Sequence, residues 1–77
     1  MNKTSYIATA KGHNYFGDYV NFFLIFDDLE EYSWVEEEGK TPFLFNSSEE
    51  AMMAVEECVF PIYEKIHRKT IQIQEVN

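Results

Sequence analysis

Seventy-seven residues carry 14 acidic and 6 basic side chains, for a net charge of −8, with 45% hydrophobic and 17% aromatic content. That is too apolar for a disordered acidic tail, and long enough for one small core only, so 1–77 reads as a single domain. Nucleic acid and anionic membrane are poor partners for this charge, because binding phosphates means neutralising them with Lys and Arg; a basic protein surface is a better one.

Taken in chain order, SYIATAK at 5–11 and YVNFFLIF at 19–26 are rich in β-formers. Between them GHNYFGD supplies the turn residues Gly12, Asn14, Gly17 and Asp18, so the two runs predict an antiparallel hairpin. The second run is apolar on both faces: Val20, Phe22, Leu24 and Phe26 alternate with Tyr19, Asn21, Phe23 and Ile25. One helix covers one face of a sheet. Tyr19, Phe23 and Ile25 therefore predict either self-association through a second interface or cover by the 27–45 segment.

FDDLEEYSWVEEEG at 26–39 holds seven carboxylates around Tyr32 and Trp34. EYSWVE fits a third strand, with Gly39 and Lys40 turning into TPFLF; Leu29, Tyr32 and Val35 would equally share one face of a short acidic helix from Asp28. Strand or irregular structure is the preferred reading. Farther on, Ser47 with Glu50 forms a capping box at a helix start. Ala51, Val55, Cys58 or Val59, Ile62 and Ile66 then recur at helical spacing, and Lys65, His67, Arg68 and Lys69 suit the negative end of a helix dipole. Pro61 predicts a kink or break near 57–61, since it lacks an N–H and its ring opposes the carbonyl four residues back. TIQIQEV at 70–76 alternates as a strand with one buried face. The expected fold is α+β: a small antiparallel sheet of three or four strands with one long, Pro-interrupted helix packed on one face.

Trp34, then Phe45 leading into FNSSEEA at 45–51, resembles a pattern of small uncharacterised phage-encoded acidic proteins, in which a sheet carries one helix. Several phage proteins of this kind, anti-CRISPR proteins among them, inhibit host defence by binding it. The resemblance implies a viral protein-binding inhibitor acting in the host cytoplasm.

The residues themselves supply little catalytic chemistry. His13 and His67 are far apart in sequence, and Cys58 lies on the apolar side of the predicted helix, so neither a nucleophile with its base nor a zinc site of close-spaced ligands is indicated. The acidic stretch lacks the Gly and the alternating ligands of a calcium loop. No enzyme, metal or cofactor is expected. The single cysteine excludes an intrachain disulfide, and no apolar run reaches signal-peptide or membrane-span length, which points to a cytoplasmic chain.

What remains is a binding surface. Asp27, Asp28, Glu30, Glu31, Glu36, Glu37 and Glu38 would steer a basic host protein, including one that normally holds nucleic acid, while Tyr32 and Trp34 supply anchor area. Two alternatives stand beside it. One is a homodimeric scaffold using the second sheet face. The other is a binder of a small anion at Lys65, Arg68 and Lys69, with Lys11 and His13.

Overall fold

A computed structural model describes residues 4–76. Strands β1 (Ser5–His13), β2 (Tyr19–Phe26), β3 (Tyr32–Glu36) and β4 (Lys65–Val76) form one sheet in the order β3-β2-β1-β4, and a helix, α1 (Ser48–Glu57), lies between β3 and β4 in sequence. Each neighbouring pair is antiparallel. The α+β class, the hairpin at 5–26 and the third strand in EYSWVE are as the sequence reads.

Both hairpins close with the same turn. In the first, the Asn14 amide donates to the Asp18 carbonyl and the Gly17 amide to the Asn14 carbonyl, each at 2.9 Å. In the second, Asp27 pairs with Glu31 at 2.9 Å and Glu30 with Asp27 at 3.0 Å in the same pattern. This is a tight turn followed by a left-handed residue, and that residue is Gly17 (φ 85°) in one hairpin and Glu30 (φ 59°) in the other. Asn14 and Asp27 play equivalent parts, each Oδ1 accepting two amides of its own loop.

The core lies on one side of the sheet. Ala8 and Ala10 from β1, Phe22 and Leu24 from β2, Trp34 from β3 and Ile66 from β4 join Phe45 and the helical Ala51 and Ala54 in a single buried cluster. Small alanines on β1 and on α1 leave room for the large Phe22, Leu24 and Trp34 beside them.

Between β3 and α1 the chain passes through the sheet. The β1–β2 ladder stops at Thr9 and Phe23, where the strands part. Residues 43–45 fill the gap. The Phe43 amide donates to the Leu24 carbonyl at 3.1 Å, while Phe45 and Tyr6 exchange both backbone hydrogen bonds at 2.9 and 2.8 Å. Pro42 and Glu37 border a concavity with Phe23 on the far side of the sheet, whereas Phe45 belongs to the core. On the doubly apolar strand, Phe23 is only 5% exposed and lines that concavity together with Pro42 and Glu37.

The long, Pro-interrupted helix is corrected by the structure. The helix is 10 residues, and Cys58 already has an extended backbone (φ −66°, ψ 154°) three residues before Pro61. Pro61 disfavours helical geometry at Phe60 and removes a donor, so the chain stops with a break. The predicted cap holds: the Glu50 amide donates to Ser47 Oγ at 3.1 Å. Its reciprocal arm is shifted by one residue, Glu50 Oε2 accepting the Asn46 amide at 3.2 Å. Ile62, expected on the buried helix face, is 89% exposed, and the basic cluster belongs to β4 rather than to a helix end.

Candidate functional site

The acidic residues do not form one strip. Strand β3 separates them by about 13 Å, the rise of four residue steps in extended chain. Asp27, Asp28, Glu30 and Glu31 belong to the β2–β3 turn, and Glu36, Glu37 and Glu38 to the opposite end of the strand. Asp27 has a structural task. Besides binding the Leu29 and Glu31 amides, its Oδ2 accepts the Ser33 hydroxyl at 2.8 Å. These bonds, the Ser33 hydroxyl first, favour the carboxylate and hold its pKa below the ordinary value. Glu36 is also committed, since its Oε1 accepts from Asn14 Nδ2 at 3.3 Å. Asp28, Glu30, Glu31, Glu37 and Glu38 are exposed.

Trp34 offers no surface, being 3% exposed within the core. Its indole N–H is buried without a hydrogen-bond partner of good geometry. It lies beside Cys58, whose thiol donates to the Val55 carbonyl at 2.9 Å. Burial pushes the Cys58 pKa up, more strongly than the indole N–H and the charge of Arg68 pull it down, so this cysteine is a packed thiol and a poor nucleophile.

Exposed apolar side chains gather instead around Tyr32, at residues the sequence reading did not single out. Tyr32 packs edge-on against Phe26 and Phe43, with ring centroids 5.0 and 6.0 Å apart, and Phe43 in turn packs on Phe45 at 4.9 Å. Phe26, Phe43, Leu44 and Met53 are all exposed, and Leu29 at the turn tip is 79% exposed. A groove of about 380 Å³ runs between Tyr32, Phe43, Leu44 and Met53, with Glu50 and Glu57 on its rim. Asp28, Glu30 and Glu31 belong to the exposed turn that joins Phe26 to Tyr32. TPFLF carried the signal, as four apolar residues after a turn. What hid it was that 43–45 forms a wedge in the sheet rather than a strand of its own.

The two remaining sets of predicted site residues lie mainly on the far face of the sheet. Of the second-interface residues, Phe23 is covered, Ile25 is half-buried, and Tyr19 is 57% exposed but packs on two histidine rings. Of the cations, Lys11 and Lys69 border the far-side concavity, while Arg68 lies on the core side with its guanidinium 4.1 Å above the Phe60 ring. Lys65 pairs with His13 at the hairpin end of β4. Arg68 is thus set apart from Lys11, Lys65, Lys69 and His13, which share the far face.

Among the described residues no group of three or more His, Cys, Asp or Glu is placed to hold a metal, and no helix is long and apolar enough to cross a membrane. Comparison with known proteins finds no matching family, no similar curated protein and no similar solved structure.

Proposed function

We propose that this chain is a non-enzymatic binding protein that engages a basic protein surface through the end of the sheet bearing the β2–β3 turn and residues 43–45. In this reading it acts as the small phage-encoded inhibitors that its sequence resembles, by occupying a host factor. The observation that carries the proposal is the exposed cluster of Phe26, Phe43, Leu44 and Met53 around Tyr32, with Glu50 and Glu57 lining its groove and the exposed turn residues Asp28, Leu29, Glu30 and Glu31 joining Phe26 to Tyr32. Interfaces of stable complexes have this anatomy, with a desolvated apolar centre and a polar rim that steers and orients.

The backbone at Glu30 supports the same end. In the otherwise identical first turn, glycine occupies the left-handed position; here a carboxylate does, at a cost of about 1–2 kcal/mol. Strain retained at an exposed turn is expected where the side chain serves binding.

The test is affinity capture from host lysate with the parent and with Leu29→Asp/Leu44→Asp. Both leucines are exposed, so the double variant should keep its unfolding free energy within the range of surface substitutions, about ±0.5 kcal/mol each. The proposal expects a basic partner captured by the parent and lost by the variant. A partner held equally well by both places recognition elsewhere on the molecule.

A further inference from the structure

The two histidines of this chain, 54 residues apart in sequence, meet on the far side of the sheet: His13 Nδ1 and His67 Nε2 are 3.1 Å apart. We propose that they form a two-histidine site for a divalent transition-metal ion of the Zn²⁺, Ni²⁺ or Cu²⁺ type. This inference does not depend on the binding reading above, because it concerns the opposite end of the sheet.

The geometry comes from the ladder. Lys11 faces His67 and His13 faces Lys65 across β1 and β4, which makes the two histidines diagonal neighbours on one face. Neutral imidazole nitrogens are the preferred ligands of these ions. With metal–nitrogen bonds of about 2.0–2.1 Å, two nitrogens on one ion stand about 2.9 Å apart at a right angle and about 3.3–3.4 Å apart at a tetrahedral angle. The observed 3.1 Å lies between the two; it is a hydrogen bond in which one ring N–H donates to the other ring's nitrogen, and an ion would take its place as that proton moves to the second nitrogen of its own ring.

The rings are also held in place. Tyr19 pairs directly with His13 and packs on both imidazoles, with ring centroids 5.2 Å from His13 and 5.9 Å from His67. Thr70 ties the strands together beneath them, its hydroxyl accepting the Lys11 amide at 2.8 Å and donating to the His67 carbonyl. At Gly12 the strands approach so closely that a Cβ would run into the Lys65 carbonyl oxygen. Holding ligands on paired strands leaves little order to be lost on binding.

Two protein ligands leave the other coordination positions to water, and the neighbouring Lys11 and Lys65 oppose a cation by their charge. The site is therefore an open one of modest affinity, and selective for ions that take nitrogen. Calcium and magnesium, which want oxygen ligands, are excluded by the same chemistry.

The test uses the intact protein, free of affinity tags. Zn²⁺ at a few times its dissociation constant should raise Tm by about 4–8 °C, with no change from Mg²⁺ at the same concentration. His13→Ala and His67→Ala should each abolish the shift. Because the chain has two histidines only, their ring protons give a second readout that needs no variant. Substoichiometric Cu²⁺ should broaden both sets of ring resonances together. Broadening of one ring alone, or a Zn²⁺ shift that survives either substitution, overturns the shared site, as does a parent protein whose Tm ignores Zn²⁺.

Discussion

Glu30 and Gly17 occupy the same position of the same turn, and the difference between them is measurable. Glu30→Gly removes the Cβ that disfavours the left-handed backbone, so chemical denaturation should show a gain of up to about 1 kcal/mol after the added flexibility of the unfolded chain is offset. A loss of stability would mean that the Glu30 side chain makes a compensating contact. Glu64 offers a test of opposite character. Burial, and next the charge of Glu36, raise its pKa in the folded state. A carboxyl with a raised folded pKa is unpenalised below its unfolded pKa, near 4.3, and destabilises progressively as pH climbs through the folded value. Glu64→Gln should accordingly raise Tm at pH 7 and leave it unchanged near pH 3. An equal shift at both pH values would assign the effect to packing rather than charge. The sequence marked Glu30 only as one of the steering acids and did not mark Glu64, because turn geometry at Glu30 and the approach of Glu36 to Glu64 are products of the assembled sheet. Trp34 shows the same limit in another form: a tryptophan among carboxylates reads equally as anchor or core, and only the register Leu24–Trp34 turns it inward.

At the scale of elements, what could be read from sequence was what local chemistry decides. The capping box fixed the start of α1, richness in β-formers marked β1 and β2, alternation marked the second half of β4, and the turn residues marked the first hairpin. The end of the helix was misplaced because Val59, Ile62 and Ile66 continue the helical spacing by coincidence. Pro61 ends the helix, and Ile66 reaches the core as a strand residue paired with Gly12. The wedge at 43–45 was not legible, since its hydrogen bonds depend on β1 and β2 parting after Thr9 and Phe23. It makes a distinct prediction for native-state hydrogen exchange. The amides of Phe43 and Phe45 should be protected to the level of β2, although they lie outside the four strands, while those of Glu38 and Gly39 should exchange as loop amides. Loop-like exchange at Phe45 would show that the wedge opens independently of the sheet.

Across the whole molecule, charge is sorted along the sheet and around the helix. Eleven of the acidic residues lie between 27 and 57, where Lys40 is the sole base, whereas Lys11, Lys65, Arg68 and Lys69 lie on β1 and β4. The long outer strand β4 carries three of those cations and a register shift against β1 between Thr9 and Lys11, features that discourage pairing with a further strand. The proposed binding end has no such features, and its acids should act over distance. Association with a basic partner should therefore be fast at low salt and slow markedly as salt rises, because screening shortens the reach of exposed charges to about 8 Å at physiological ionic strength. The division of acids between the two ends of β3 makes the experiment site-specific. Glu30→Lys/Glu31→Lys reverses charge beside Leu29 and Tyr32, whereas Glu37→Lys/Glu38→Lys makes the same change in net charge at the far end of the strand. All four side chains are exposed, so both variants should fold. The first should lower the association rate severalfold and flatten its salt dependence, with the dissociation rate less affected. The second should have a clearly smaller effect. Equal effects from the two variants would show that the partner responds to net charge alone, and a larger effect from Glu37→Lys/Glu38→Lys would move the recognition surface to the opposite end of the sheet.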